Sequence, residues 1–177
     1  MSEDVLEWYE ELSSVYDELY GDEQRSKYAI INEVLTEMNI RLKDVVVDVG
    51  CGSGGLINDA LISDVLYYVG LDLSPKLLSK AREKLENLSL VGDVVAGDMF
   101  IMPFRSNSIK TLISVTAIVC GTELKVYEEV KRVLSLDGVA LLTVLCTSKD
   151  NVMIDKLGCY VTYEVSSREV LCLNLKR

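Results

Sequence analysis

A chain of 177 residues is long enough for one domain with a substantial core, and its formal charge of −10 argues against a large exposed nucleic-acid surface. Nearly half of it is apolar, yet no apolar run reaches the ~18 residues a membrane span needs, and the acidic start Met1-Ser2-Glu3-Asp4 lacks signal-peptide character, so a cytoplasmic location is expected. The five scattered cysteines have neither a C-x-x-C pair nor any histidine to complete a zinc set, so reduced thiols and no metal are expected.

Residues 3–20 and 22–39 read as two helices, with the break at Gly21-Asp22. In the second, Ile30, Ile31, Val34, Leu35 and Met38 recur at helical spacing and should face the core. In the first, Tyr9, Tyr16 and Tyr20 share a face, which packing on the rest of the domain would explain.

Asp44–Val49 is a β-branched run suited to a central parallel strand covered on both faces. It runs straight into Gly50-Cys51-Gly52-Ser53-Gly54-Gly55, with Asp48 two residues before the first glycine. Glycines let the backbone turn sharply and approach a ligand closely. A nucleotide-type ligand at the C-terminal end of a parallel strand is the natural inference. The glycines satisfy both G-x-G-x-x-G and G-x-G-x-G, so alone they do not choose among nucleotides. A dinucleotide would bring a pyrophosphate near Asp48, with no basic residue between positions 44 and 75 to offset it. S-adenosylmethionine has no phosphate and carries an ammonium and a sulfonium, which an acid beside the turn suits. Cys51 reads as a small filler within the turn.

Leu56–Ile62 reads as a short helix, and 64–72 as a second strand ending in Asp72. That acid follows the glycine turn at about the spacing at which a carboxylate accepts ribose hydroxyls. Pro75–Leu88 is a helix opened by proline, with Ser74 as N-cap. Its Lys76, Lys80 and Lys84 share one face, expected to be solvated. A third strand, Asp93–Gly97, ends in Asp98-Met99, where an oxygen can accept from an adenine amino group while an apolar neighbour covers the ring. Asp48, Asp72 and Asp98 thus form a set at three strand ends. A fourth strand, the helix 123–135, the turn Leu136-Asp137-Gly138 and the strand Val139–Leu145 follow. Strands alternating with helices indicate a doubly wound parallel sheet. Tyr160–Val165 and Glu169–Leu175 read as an antiparallel hairpin closing it, a feature simple dinucleotide-binding domains lack.

The strings VVVDVGCGSG, YVGLDLSPKLLSKA and VAGDMFIMPFRSNSIKTLISV, in that order, resemble the class I S-adenosylmethionine-dependent methyltransferases, most closely the type 11 group. The resemblance runs from about Val45 to Thr147 and more weakly through both ends. It implies a Rossmann-like α/β fold: a mostly parallel seven-stranded sheet with an antiparallel last strand, preceded by N-terminal helices. It implies that Gly50, Cys51, Gly52, Ser53 and Gly54, with Asp48, contact the methionine moiety, Asp72 and Leu73 the ribose, and Asp98 and Met99 the adenine, with Val115 as a further cofactor contact. A Tyr-Asp-x-x-Tyr segment similar to that of relatives implies that Tyr16 or Tyr20 closes over the methionine end. Two positions depart from the group's pattern. Ile109-Lys110 stands where an aromatic and an acid are usual, and Thr116–Cys120 holds none of the histidines often found there.

Methyl transfer from a sulfonium is an in-line displacement, so the protein mainly aligns the acceptor and excludes water. No residue identifies itself as a base, and the Asn-Pro-Pro-Tyr type of string that marks amide- and base-amine-methylating relatives is absent. One domain is expected over 1–177, with a helical cap over 1–40 and the core over 44–177. The short connection 147–158 leaves the acceptor site open unless the cap covers it. An open site suits a macromolecule such as RNA or a protein, whereas the acidic charge suits a small molecule. The third strand is expected at a sheet edge, where a small activator subunit could add a strand. Two other readings stand beside methyl transfer: a non-catalytic S-adenosylmethionine-binding subunit and an NAD-dependent oxidoreductase.

Overall fold

The valines of β1 (Val45–Val49) show why this segment is central. Val46 points to one core, and Val47 and Val49 to the other, on opposite faces of the sheet. β1 pairs in parallel with β2 (Tyr67–Asp72) on one side and β4 (Ile109–Val119) on the other. The computed structural model describes residues 3–13, 15–42, 44–146 and 156–176. Its seven strands run in the order β3-β2-β1-β4-β5-β7-β6, with β3 Gly92–Ala96, β5 Leu134–Leu145, β6 Val161–Ser166 and β7 Glu169–Leu175. The first five are parallel. β7 lies antiparallel between β5 and β6, so the reversed terminal hairpin and the edge position of β3 are as expected.

Two helical layers cover the sheet. Tyr28, Ile31, Val34 and Leu35 of α2 (Tyr16–Glu37) and Leu78, Ala81 and Leu85 of α3 (Pro75–Leu88) fill one core. Val126, Val130 and Val133 of α4 (Glu123–Val133) fill the other. Each valine, leucine or isoleucine among them, fully buried, contributes about 1.5–3 kcal/mol of transfer free energy. The Ser74 hydroxyl accepts from Leu77 N at 3.2 Å and caps α3 with Pro75 in its first turn.

Four expectations change. The helix break lies between Leu12 and Tyr16, not at Gly21-Asp22: α1 spans Glu3–Leu12 and α2 runs through Gly21. One helical glycine costs only about 1 kcal/mol, which the packed face of α2 offsets. At the true break the Ser13 hydroxyl donates to Glu10 O at 2.8 Å, a local bond that competes with helical pairing. Tyr9 and Tyr16 therefore belong to different helices, and their sevenfold spacing does not place them on one face. The segment after the glycine turn is two 3₁₀ turns, Gly55–Asn58 and Ala60–Ile62. Asp59 between them is extended and caps Leu61 N at 2.9 Å. The lysine face of α3 is not merely solvated: Lys76 pairs with Glu10 at 3.5 Å and Lys84 with Asp17 at 2.7 Å, tying α3 to both N-terminal helices. Finally, Cys120 is bonded to Cys146 and Cys159 to Cys172, leaving only Cys51 free and buried. The neighbouring ends of β4 and β5, and the approach of Cys159 to the middle of β7, bring these Cα pairs to 5.1 and 5.3 Å, within disulfide reach, although 26 and 13 residues separate them in sequence. Of the connection 147–158, residues 147–155 lie outside the described residues.

Candidate active site

The C-terminal ends of β1, β2 and β4 open into one cleft beneath the N-terminal helices. Gly50, Gly52 and Gly54 have φ of +76°, +54° and +76°, so the turn after β1 needs residues that tolerate the left-handed region. A Cβ on Gly50 would lie 2.3 Å from the Ala117 methyl, so no side chain fits between the turn and β4. Gly54 faces away from the cleft: its Cβ would meet Ile57 and the Ala81 backbone on α3. Gly54 shapes the turn from behind.

Asp72 joins the two loops of one half of the cleft. Its carboxylate accepts from Gly52 N at 2.8 Å and from Ser74 N at 2.9 Å, leaving further lone pairs toward the cleft. Burial raises its pKa, those backbone donors hold it down, and Glu10 adds a raising charge. Leu71, Leu73, Leu77, Gly97, Met99 and Val115 line much of this half, with Tyr16, Ser74 and Thr116 adding polar groups beside the carboxylate. It suits a flat ring and a vicinal diol.

Asp48 lies in the other half with Gly50, Cys51, Ser53 and Val115. It is buried, 5% exposed, and accepts from the Tyr68 hydroxyl at 2.6 Å. Desolvation pushes its pKa up to about 7, against the Tyr68 bond and with the help of the Asp72 charge. A cation entering this half would supply the counter-charge that Asp48 lacks. Burial likewise raises the Cys51 thiol well above its usual range, so Cys51 is an inert filler.

The cap closes the cleft from above. Ser53 donates to Asp17 and Ser74 to Glu10, so the two acids of the cap grip both binding loops directly. Burial opposes ionisation at both acids. The Ser74 and Lys76 donors outweigh it at Glu10, and Lys84 and Ser53 outweigh it at Asp17, so both pKa values are lowered. Tyr16 lies over Gly52 and borders both halves, with the Tyr20 ring 5.0 Å from its own. Both tyrosines also border a wider groove of about 810 Å³ that opens to solvent, walled by Trp8, Phe100 and the ends of β4 and β5. Asp98 faces this groove rather than the Asp72 half, with Oδ1 accepting from Phe100 N at 2.8 Å; Met99 borders both.

The fold therefore brings Asp48, Gly50, Cys51, Gly52, Ser53, Asp72, Leu73, Met99, Val115, Tyr16 and Tyr20 around one cleft, with Gly54 behind it and Asp98 at its far side. Tyr68, Thr116, Ala117 and the cap acids Glu10 and Asp17 are additions. Tyr68 reads from sequence only as an apolar strand residue, and its partnership with Asp48 depends on strand register. Thr116 has φ +61°, rare for a β-branched residue and costing about 1–3 kcal/mol, in a segment whose only sequence signal is its departure from the related pattern.

A family model described as a methyltransferase domain matches residues 46–138. Bovine 18S rRNA (guanine-N(7))-methyltransferase is 29% identical over 57% of this chain and 40% of its own length. The chain spans about half or less of the length of the curated relatives it matches. A Methanococcus maripaludis structure, described as a candidate S-adenosylmethionine-dependent methyltransferase, aligns with a TM-score of 0.67 at 14% identity over 95% of this chain and 91% of that one. A candidate methyltransferase solved with the Haloferax volcanii Trm112 activator aligns with a TM-score of 0.59 at 24% identity, over 77% of this chain and 59% of that one.

Proposed function

Because the chain belongs to the methyltransferase domain family, we propose that it binds S-adenosylmethionine in the Asp48–Asp72 cleft and transfers its methyl group to an acceptor in the adjoining groove. The observation that carries this reading is the pairing of two different acids at one glycine turn. Asp72 offers a largely buried carboxylate beside Leu71, Leu73, Met99 and Val115, as a ribose and an adenine require. Asp48 is a buried acid without a cationic partner among the described residues, as an ammonium requires. A pyrophosphate fits this cradle poorly, since Asp48 beside the glycine turn would repel it once ionised.

When bound, the cofactor supplies an already activated methyl group on a sulfonium. The protein's share is alignment. The Gly50–Gly54 turn and Asp48 hold the methionine end, Asp72 and Leu73 the ribose, and Met99 and Val115 flank the ring system. Tyr16 and Tyr20 close the cleft on the groove side and keep water from its mouth. Asp98 stands at the groove, where it serves the acceptor more readily than the adenine. No base is assigned; an acceptor with a free lone pair needs none.

The acceptor belongs to one of two classes. The bovine relative's RNA acceptor and the wide groove favour a macromolecule, and the charge of −10 favours a small molecule or a basic partner that carries the RNA. Such a partner has a place to dock. β3 is an edge strand, and Leu66, Leu88 and Val91 beside its start are 70%, 52% and 61% exposed. A small activator adding a strand there would cover them. We read the chain as one domain, 1–177, acting in the cytoplasm. Among the described residues no helix is long and apolar enough to cross a membrane.

The test is transfer of tritiated methyl from S-adenosylmethionine into small-molecule, RNA and protein fractions, with and without a Trm112-type subunit. Label entering one fraction only when the chain is present is the expected result. Cofactor binding without label in any fraction would instead make the chain a non-catalytic binding subunit.

A further inference from the structure

We infer that Lys27 and Glu169 are positioning residues for methyl transfer, holding the strained bulge of β4 that walls both the cofactor cleft and the acceptor groove. The inference rests on the function proposed above. Ser114 pairs with Leu142 and the next pair is Ile118 with Val144, so Val115, Thr116 and Ala117 stand against Thr143 alone. Thr116 and Ala117 border both the cleft and the groove, and Ala117 is the residue against which Gly50 packs. The position of the glycine turn is therefore set by this bulge.

What fixes the bulge is a buried polar knot. Thr116 N donates to Thr143 Oγ1 at 2.7 Å, and the Thr116 hydroxyl donates to Glu169 Oε1 at 3.0 Å. The Thr143 hydroxyl donates to the same carboxylate oxygen. Lys27 Nζ donates to Thr116 Oγ1 at 2.8 Å and forms ion pairs with Glu169 Oε2 at 2.6 Å and Glu23 Oε1 at 2.7 Å. Lys27 is 2% exposed and Glu169 fully buried, and neither borders the cleft or the groove. A desolvated pair of this kind adds little stability over apolar residues of the same size. Its distinct product is one conformation of Thr116, a backbone state that persists only where its surroundings over-determine it. Lys27 and Glu169 come from α2 and β7, so the knot also ties the cap to the far side of the sheet at this point.

The experiment follows S-adenosylmethionine carrying a ¹³C-labelled methyl, whose bound resonance reports the surroundings of the transferred group. The paired variant Lys27→Met with Glu169→Leu removes both charges together and should keep the fold. The expected result is retained binding with a methyl resonance displaced from that of the wild type, or split in two. A folded paired variant with an unchanged resonance would overturn the inference, since a purely structural pair would change only Tm. Should that variant not fold, Thr116→Gly gives the same reading: glycine accepts the left-handed backbone, and an unshifted resonance there would overturn the inference equally. Absence of any bound resonance in the wild type would instead defeat the proposed function, and this inference with it.

Discussion

Replacing Asp48 by asparagine separates the charge of this acid from its shape. The carboxyl is buried, and its pKa is pushed up to about 7 from a model-compound value of 3.8. The folded chain thus holds this proton more tightly than the unfolded one. Stability from this group is fully present below about pH 4 and falls as pH rises toward about 7. Roughly three pH units at 1.36 kcal/mol each place the total on the order of 4 kcal/mol. Asp48→Asn should remove this decline, making the ligand-free protein more stable than wild type at pH 8. Binding is linked in the opposite sense. A cationic ligand favours the ionised carboxylate, so below about pH 7 binding must expel the proton. S-adenosylmethionine affinity should therefore fall by up to about tenfold per pH unit there, with close to one proton released per ligand. Calorimetric titrations at pH 6, 7 and 8, each in two buffers of different ionisation enthalpy, count that proton. Equal affinity at pH 6 and 8 with no proton release, or an Asp48→Asn protein with wild-type affinity, would refute the argument.

Asp72→Asn should weaken S-adenosylhomocysteine binding by about 2–3 kcal/mol in calorimetry, since an amide cannot accept at both positions that the carboxylate fills and faces Gly52 N or Ser74 N with a donor. Gly50→Val should abolish binding and lower Tm, because a Cβ there meets the Ala117 methyl at 2.3 Å and the backbone must keep φ +76°; denaturation and titration read both effects. Thiol counting in denaturant without reductant should find one reactive cysteine, Cys51, and five after reduction. Five before reduction would mean that the two pairs stay open.

The elements whose periodicity comes from the core were legible in the sequence. The valines of β1 and the proline-opened, serine-capped α3 stand where their spacing puts them, and the strand-end acids Asp48 and Asp72 meet at one cleft. What escaped depends on contacts distant in sequence. Gly21 looks like a helix break because local propensity says so, but the buried face of α2 overrides it. Asp98 is spaced for adenine, yet the backbone N–H of Phe100 draws its carboxylate into its own loop. The cysteine pairs follow strand neighbourhood, and the Lys27–Glu169 pair joins residues far apart in the chain. No local pattern encodes such meetings.

The most direct test of the central claim is a parallel calorimetric titration of the chain with S-adenosylmethionine, S-adenosylhomocysteine and NADH. The account predicts saturable one-to-one binding of the first two and none of the third, because Asp48 attracts an ammonium and repels a pyrophosphate at the glycine turn. Binding of NADH with neither sulfur compound bound would contradict it.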